Sequence, residues 1–377
     1  MNRKISWWTP QMGGEEYENV KQVLDCNYLN EGEFTERFET QIASLLGVRH
    51  VVAVTSGTAA IYLALAGLGA GAGDEVIVPD MTFIATANAV MMTGARPVLV
   101  DVDPLTLNLD PEAVSRAITS RTKAVVPVHV SGRAANMRSI LEIAQRYGLV
   151  VVEDAAEAFV SKLDGRYLGT FGRAGCLSFS PNKTITTGQG GVILTDDDAL
   201  CGRLRELKDQ GRPVRGTGGD DVHHSVGYNF KFTNLQAAVG LAQLGHLQPR
   251  LRRMREIYLG YSERLSDLPG FFLPGFDIDA GESPQWTDAI VERRNELDRF
   301  LAALDVHCRR FWHPLHTQAP YRQPDENFPN STRVAPRTLW LPSAFTLSDE
   351  DVTTVCDHIR EFARGEASDS ARSGGQV

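Results

Sequence analysis

The chain has 377 residues, of which 42% are hydrophobic and 23% charged, so it is long enough for about two globular domains with sizeable cores. Its formal net charge of −9 argues against a protein that binds nucleic acid or an anionic membrane over a broad surface. No apolar run approaches the roughly 20 residues of a membrane span, and no signal-peptide pattern opens the sequence, so we expect a cytoplasmic protein without membrane contact.

Short β-branched runs alternate with helical patterns in the first half of the chain. Seven runs predict buried strands, over residues 51–54, 75–78, 97–102, 124–130, 149–154, 176–180 and 191–195. Helical patterns lie between several of them, over residues 59–68, 84–92, 111–118 and 137–147. Because continuous apolar strands that alternate with helices form a sheet covered on both faces, we predict an α/β fold with a mostly parallel seven-stranded sheet.

After residue 200 the pattern changes. A charged helix over 200–210 leads into a polar, glycine-rich loop, which is followed by an apolar helix and a long basic one. A smaller C-terminal α+β domain then ends in a helix over 349–362, with Ser348 as its N-cap. The predicted boundaries are 1–15 for an N-terminal segment, 16–245 for the large domain, 246–364 for the small domain and 365–377 for a disordered tail.

Polar clusters follow the predicted strands, and open parallel sheets bind ligands at the carboxyl ends of their strands. In TSGTAA, residues 55–60, hydroxyls and exposed amides at a helix start suit a phosphate, although they equally suit a simple helix cap. Asp154 ends an apolar strand, where a buried carboxylate needs a partner. A protonated ring nitrogen would serve, and so would an arginine or a helix cap.

A single lysine lies in SFSPNKTITTGQGG, residues 178–191, between two predicted strands. Held near a dry pocket, the amine of Lys183 can lose its proton and attack a carbonyl, whereas a solvated surface lysine is the ordinary alternative. A fourth cluster contains Asn229 and Lys231 and precedes an apolar helix that suits either the core or a subunit interface.

A metal site is not predicted. His313 and His316 are three residues apart, but Pro314 disrupts a regular helix between them and no third ligand is near. Histidines that line a substrate pocket are the better interpretation. The five cysteines are scattered without a CxxC pair, which indicates reduced thiols.

Six segments in the same order resemble the DegT/DnrJ/EryC1/StrS family of sugar aminotransferases, which are fold-type-I enzymes that use pyridoxal 5′-phosphate (PLP). The segments are SGTAAIYLAL, GDEVIVPDMTFIATANAV, PVHVSGRAANM, VEDAAEAF, SFSPNKTITTGQGGVILTDD and GYNFKFTNLQAAVGLAQL. The resemblance covers about residues 5–365. It implies a fold-type-I aminotransferase whose large domain binds PLP.

The resemblance implies two catalytic residues. Lys183 matches the lysine that holds PLP as a Schiff base and then moves protons, and Asp154 matches the carboxylate that keeps the ring nitrogen protonated. Members that remove a hydroxyl have histidine at the lysine position, so Lys183 favours aminotransfer. Glu157 takes the place of the commoner glutamine or histidine near the PLP 3-oxygen, and glutamate occurs there in some relatives.

Other matches complete the implied cofactor site. Gly57, Thr58 and Ser178 match the residues that hold the phosphate, and Phe83 matches the aromatic ring that stacks on PLP. Asn229 matches a residue that reaches the cofactor phosphate of the neighbouring subunit. The resemblance therefore implies a homodimer with shared active sites.

The substrate implied by the resemblance is a nucleotide-linked 4-keto-6-deoxyhexose, aminated at C4 with L-glutamate as the donor. Lys231 matches a cation near the nucleotide diphosphate, and His313, His316 and Tyr321 are candidates for the substrate pocket. Three alternatives stay open: amination of a keto-aminocyclitol, amination of a nucleotide sugar at C3, and a non-catalytic sensor with the same fold.

Overall fold

A seven-stranded sheet forms from the β-branched runs and organises the N-terminal two thirds of the chain. The computed structural model describes residues 4–213 and 221–365. The strands of this sheet are β1 (His50–Val54), β2 (Glu75–Pro79), β3 (Arg96–Val100), β4 (Thr122–Val125), β5 (Val150–Asp154), β8 (Ala174–Ser178) and β9 (Gly191–Thr195), with a small hairpin of β6 (Lys162–Leu163) and β7 (Arg166–Tyr167) before β8.

The sheet order is β1-β9-β8-β5-β4-β2-β3. Strand β9 pairs antiparallel with β1 and β8, and the other neighbours pair in parallel. The prediction of a mostly parallel seven-stranded sheet is therefore confirmed. Because parallel strands place their carboxyl ends at one edge, the loops after β1, β2, β5 and β8 converge there.

Helices cover both faces of the sheet, and their apolar sides form its cores with the strands. They are α1 (Glu15–Asp25), α2 (Glu33–Leu46), α3 (Gly57–Gly67), α4 (Ala85–Met92), α5 (Pro111–Ala117), α6 (Met137–Tyr147), α7 (Asp198–Lys208), α8 (Asn234–Gly245) and α9 (Leu247–Leu265). Helix α3 is buried almost all round, because its Ala and Leu residues face the sheet, α4 and α7.

A second sheet lies in the C-terminal third. Its antiparallel strands run in the order β10 (Phe271–Phe272), β11 (Thr287–Val291), β13 (Thr338–Leu341) and β12 (Arg309–Arg310). Helices α10 (Arg294–Ala303), α11 (Pro329–Val334) and α12 (Asp349–Ala363) accompany it. The predicted α+β character of this part is confirmed, and Ser348 caps α12 by accepting a hydrogen bond from the Asp351 amide.

The N-terminal segment joins this C-terminal core. Ile5 pairs with Val306, and the Ile5 amide donates to the Asp305 carbonyl oxygen over 2.9 Å. The ring of Trp7 packs against Trp286 and Trp340, at 5.5 and 6.2 Å between centroids. The first and last parts of the chain thus share one apolar cluster.

The largest difference between a predicted and an observed strand end is at β4. Residues 126–130 were expected to continue β4, but the strand ends at Val125 and Val130–Gly132 form a 3-10 turn. Pro127 has no N–H for the ladder, and its carbonyl oxygen instead accepts from the Asp154 amide over 2.9 Å. The turn places Ser131 at φ 55°, and the Ser131 amide and hydroxyl donate to Glu157 and Asp288.

Two expectations keep their status as predictions. The domain boundaries are sequence-based divisions, and residues 366–377 of the expected disordered tail lie outside the described residues. Among the described helices, none is long and apolar enough to cross a membrane.

Candidate active site

A cavity of about 300 Å³ lies at the carboxyl edge of the central sheet. Seven of the eight residues that the sequence assigns to the cofactor line it: Gly57, Thr58, Phe83, Asp154, Glu157, Ser178 and Lys183. A larger and more open depression lies at the opposite edge, where Arg173 pairs with Asp197 and Arg49 with Asp198. Its charges neutralise one another, so we take the smaller cavity as the candidate site.

Lys183 lies in the loop after β8, and 11% of its side-chain surface is exposed. Its Nζ is 3.5 Å from Glu157 Oε1 and 4.7 Å from the ring centre of Trp286. Burial lowers the pKa of Lys183, and the nearby carboxyls of Glu157 and Asp154 oppose that effect. The neutral, nucleophilic amine is therefore easier to reach than on a solvated lysine.

The loop around Lys183 is fixed by Gln285, a buried residue just before β11. Its Oε1 accepts from the Thr184 amide over 3.1 Å and from the Thr184 hydroxyl over 2.7 Å. Its Nε2 donates to the Asn182 carbonyl oxygen over 3.4 Å. Both neighbours of Lys183 are thus attached to the C-terminal part of the chain.

Glu157 faces the lysine from the loop after β5. Burial raises the pKa of Glu157 to about 7, although the charge of Lys183 and a hydrogen bond from the Ser131 amide both lower it. That amide donates to Glu157 Oε2 over 2.9 Å, and the Ser131 hydroxyl donates to Asp288 over 2.8 Å. Glu157 can therefore hold or release a proton near neutral pH while its position stays fixed.

Asp154 ends β5 and is buried. Thr86 Oγ1 donates to Asp154 Oδ2 over 2.7 Å, and the Ala156 amide donates to Oδ1 over 3.2 Å. Burial raises the pKa of Asp154, and these two donors oppose that effect. A cationic partner in the cavity would favour the ionised form further.

The other end of the cavity suits an anion. Helix α3 begins there, and Ser56 caps it by accepting from the Ala59 amide over 3.1 Å. The side chains of Thr58 and Ser178 border the same space, and the Ser178 hydroxyl is 3.1 Å from that of Ser180. Hydroxyls at a helix N-terminus are a standard setting for phosphate.

Two glycines allow the backbone to come close at this end. A Cβ on Gly57 would lie 2.9 Å from Ser178 Cβ, and one on Gly191 would lie 2.6 Å from the Ser56 carbonyl carbon. Only hydrogen fits at either position, so the turn before α3 can pack directly against the start of β9.

The donor set fits PLP. An amine for its aldehyde, a buried carboxylate for its ring nitrogen and a helix N-terminus with hydroxyls for its phosphate line one cavity of suitable size. Phe83 borders the cavity with 52% of its surface exposed, so its ring is available for stacking. Within residues 4–213 and 221–365, no group of three or more His, Cys, Asp or Glu side chains is arranged to hold a metal ion.

Two of the predicted residues lie near α8, outside this cavity. Asn229 is exposed, beside Asp209. Lys231 Nζ is 2.6 Å from Asp209 Oδ1, so its charge already has a partner. Their predicted roles toward a phosphate or a diphosphate stay predictions.

The remaining candidates are divided among different places. His313 is exposed and borders an adjoining cavity of about 380 Å³ with Phe83 and Trp312. The Tyr321 hydroxyl is 2.6 Å from Asn88 Oδ1, and Tyr321 borders neither cavity. The substrate roles of both residues stay predictions.

His316 requires a correction. Its side chain has no exposed surface, its Nδ1 is 2.7 Å from Asp80 Oδ2, and its ring stacks on Phe328. A histidine enclosed in this way supports the fold and has no surface for a substrate, so we withdraw the prediction that His316 binds one. Spacing in the sequence could not distinguish it from His313.

Sequence analysis did not identify the side of the cavity that the C-terminal part of the chain forms. Trp286, Arg309 and Trp312 line the cavity, and Thr86 supports Asp154 from α4. The aromatic content of FWHPLHTQAPY was the available signal for Trp312. No local pattern distinguishes Arg309 from the adjacent Arg310.

Comparisons with known proteins agree with this geometry. The model of the DegT/DnrJ/EryC1/StrS aminotransferase family matches residues 10–360. The chain is 38% identical to GDP-perosamine synthase of Escherichia coli O157:H7, over 95% of this chain and 98% of that protein, and 39% identical to GDP-perosamine synthase of Caulobacter vibrioides, over 84% and 87%. The solved structure of DesI in the presence of its TDP-sugar product superposes with a TM-score of 0.90 at 33% identity, covering 99% of this chain and 96% of that one.

Proposed function

The chain belongs to the DegT/DnrJ/EryC1/StrS aminotransferase family and is a PLP-dependent enzyme, and we propose that it transfers an amino group from L-glutamate to C4 of a nucleotide-linked 4-keto-6-deoxyhexose. The observation that carries the catalytic part is the approach of Lys183 to Glu157, 3.5 Å apart in one cavity with the buried Asp154. The relatives named GDP-perosamine synthase support the choice of substrate.

PLP supplies an aldehyde that condenses with amines and a ring that takes up the electrons of a broken C–H bond. Lys183 would provide the amine that holds it, and Asp154 the negative charge that keeps its ring nitrogen protonated. The amides at the start of α3, with Thr58 and Ser178, would hold its phosphate. These roles are proposals that rest on the position of each residue in the cavity.

Lys183 is also the proposed proton carrier. Because burial favours its neutral form, its amine can accept the proton from the carbon that gives up the amino group. It would return a proton to the sugar carbon that receives the amino group. Glu157 Oε1 lies within reach of Nζ and can stabilise the lysine in its protonated form during this exchange.

A homodimer with shared active sites is part of the proposal. Asn229 is exposed and lies outside the cavity of its own chain, as expected of a residue that acts in a neighbouring subunit. Phe83 is half-exposed at the cavity border, so a second subunit could cover it. A cytoplasmic location stays a prediction.

The test is an absorption experiment followed by product analysis. The purified protein should show the visible band of bound PLP, and L-glutamate should bleach it as the amino form of the cofactor appears. The aminated enzyme is then mixed with GDP- and TDP-linked 4-keto-6-deoxyhexoses, 3-ketosugars and keto-inositols, and the product is identified by NMR. A product aminated at C3, or turnover of a keto-inositol alone, would contradict the proposed acceptor, and a band that L-glutamate does not bleach would contradict the proposed donor.

A further inference from the structure

Arg309 on β12 presents a positive charge to the active-site cavity from the C-terminal part of the chain. It borders both this cavity and the adjoining one that contains His313. Its guanidinium carbon lies 4.8 Å from the ring centre of Trp7 and 5.5 Å from that of Trp340. Stacking on indole rings holds the guanidinium in place and leaves the N–H groups at its edge available for hydrogen bonds.

No protein acceptor satisfies this guanidinium among residues 4–213 and 221–365. Other arginines that enter the cores do have acceptors: Arg133 binds Asp288 over 2.7 Å, and Arg250 binds the Thr184 carbonyl oxygen over 3.1 Å. The exposed neighbour Arg310 donates from Nε to Asp298 over 2.8 Å. A half-buried cation without a partner is costly, so the position of Arg309 points to an anion that arrives with a ligand.

Glu157 does not fill that role. Its charge acts on Arg309, but it lies beyond ion-pair distance, and its oxygens already face Lys183 and the Ser131 amide. Arg309 is also near enough to Lys183 for its charge to oppose protonation of the lysine amine. An anion bound by Arg309 would therefore lie close to the atoms that react.

The two proposed substrates differ in charge at this place. An amino-acid donor carries a carboxylate on the same carbon as the reacting amine, and glutamate has a second one on its side chain. A ketosugar carries uncharged groups around its C4, and the sugar ring separates C4 from the diphosphate. A fork of N–H donors matches a carboxylate in particular.

We propose that Arg309 binds a carboxylate of the amino-acid donor, which makes it a specificity residue for the first half of the reaction. This inference rests on the proposed transfer from an amino acid. Arg309 selects the donor by charge and does not take part in binding the neutral ring of the acceptor.

The test separates the two half-reactions by rapid mixing of the holoenzyme. In Arg309→Gln, the apparent Kd for L-glutamate should rise about 10- to 100-fold, as expected for the loss of a hydrogen-bonded charge pair, and the acceptor half-reaction should change less than about twofold. The apparent Kd of Arg309→Lys for L-glutamate should lie between those of wild type and Arg309→Gln. Lysine keeps the positive charge but lacks the paired N–H donors of the guanidinium. Arg310→Gln is the matched control: Arg310 borders only the adjoining cavity, its guanidinium is engaged by Asp298, and its donor half-reaction should equal that of wild type.

A second measurement does not depend on catalysis. Glutarate, a dicarboxylate without an amine, should bind the wild-type holoenzyme in calorimetry and bind Arg309→Gln about tenfold or more weakly. The source of the carboxylate is identified with 4-aminobutyrate, which lacks the α-carboxylate, and L-2-aminobutyrate, which lacks the distal one. If a donor lacks the carboxylate that Arg309 binds, its Kd should be the same for wild type and for Arg309→Gln.

Two outcomes would overturn the inference. One is an Arg309→Gln enzyme that binds L-glutamate and glutarate like wild type. The other is an enzyme that is weakened only toward the nucleotide sugar, which would assign Arg309 to the diphosphate. Failure of the proposed function would be distinguishable from both outcomes, because the wild-type protein itself would then not accept an amino group from any amino acid.

Discussion

The hydroxyl of Thr86 donates a hydrogen bond to Asp154 Oδ2 over 2.7 Å, and both side chains are buried. Thr82 Oγ1 lies 2.9 Å from Thr86 Oγ1 and completes a short chain of hydroxyls that leads to the carboxylate. The chain favours the ionised form of Asp154, against the effect of burial on its pKa. The charge proposed to act on the cofactor ring therefore depends on a residue of α4 that the sequence did not single out.

Thr86→Val should raise the pKa of Asp154, because it removes a donor to the charged form and keeps the shape of the side chain. We expect kcat to fall about tenfold, with a change in folding stability of about 1 kcal/mol or less. Steady-state kinetics and urea unfolding measure the two effects. Thr93→Val is the control at the end of the same helix, since Thr93 donates to the Val90 carbonyl oxygen and accepts from the Ala95 amide, away from Asp154. Equal losses of kcat in both variants would contradict a role of Thr86 through Asp154.

Glu157 predicts a pH dependence of stability. Its pKa is about 7 in the folded protein and about 4.5 in an unfolded chain. Between these two pKa values only the folded state keeps the proton, so unfolding releases it. Rising pH therefore favours unfolding. Above about pH 7 Glu157 is ionised in both states, and stability no longer changes with pH through this group. Across this pH window the free energy of unfolding of the wild-type apoprotein should fall by about 3 kcal/mol, whereas that of Glu157→Gln should not.

Urea unfolding of the two apoproteins at pH 5, 6, 7 and 8 measures this difference. Glutamine keeps the size of the side chain and can still accept from the Ser131 amide. Stabilities of wild type and Glu157→Gln that change in parallel with pH would show that Glu157 is ionised throughout.

Lys183→Ala should remove both the attachment of the cofactor and the proton carrier. We expect turnover to fall by at least about 100- to 10,000-fold, and the visible band of lysine-bound PLP to disappear. Absorption spectra and a coupled 2-oxoglutarate assay check the two effects. Lys21→Ala, at an exposed lysine of α1 that pairs with Asp25, should leave both unchanged; retained turnover in Lys183→Ala would refute the assignment.

Gly191→Ala should disturb the phosphate end of the cavity. The new Cβ would meet the Ser56 carbonyl carbon at 2.6 Å and the Gly57 nitrogen at 2.8 Å, so the turn before α3 must move. We expect a loss of about 1–3 kcal/mol in stability and weaker PLP binding. Gly202→Ala is the opposite case: nothing lies within 4 Å of its Cβ position inside α7, so it should stabilise by about 0.5–1 kcal/mol.

A pair of inactive variants tests whether the subunits share active sites. Lys183→Ala and Asn229→Ala should each be inactive or nearly so. In a hybrid dimer, one site would combine the intact Lys183 of one subunit with the intact Asn229 of the other. After the two proteins are mixed and refolded in equal amounts, about a quarter of wild-type activity should return. Activity no higher than the average of the two variants would place both residues in the same subunit's site or leave Asn229 outside it.

The sequence predicted the fold well because burial on both faces of a parallel sheet leaves a local pattern. Each of the seven predicted runs overlaps a strand of the sheet, and α6 has the predicted bounds. Asp154 and Lys183 come together because both follow strands whose carboxyl ends lie at one edge. Strand ends were less certain, as the early end of β4 before Pro127 illustrates.

What the sequence could not predict depends on contacts between distant parts of the chain. Gln285 fixes the loop of Lys183 from more than 100 positions away, and no periodicity links the two. Nothing in the sequence distinguishes Arg309 from Arg310. The pleat of β12 turns Arg309 toward Trp340 and the cavity and Arg310 toward Asp298. His313 and His316 also differ only in their surroundings in the fold, since His313 is exposed and His316 is enclosed.

Trp7 packs on Trp286 and Trp340 and lies against the guanidinium of Arg309. Trp7 precedes these partners by hundreds of positions, so it leaves the ribosome well before they do. Its indole ring must therefore wait, without its packing partners, until the C-terminal sheet has emerged. The large sheet can form earlier, so the side of the active site that contains Arg309 is completed later than the sheet.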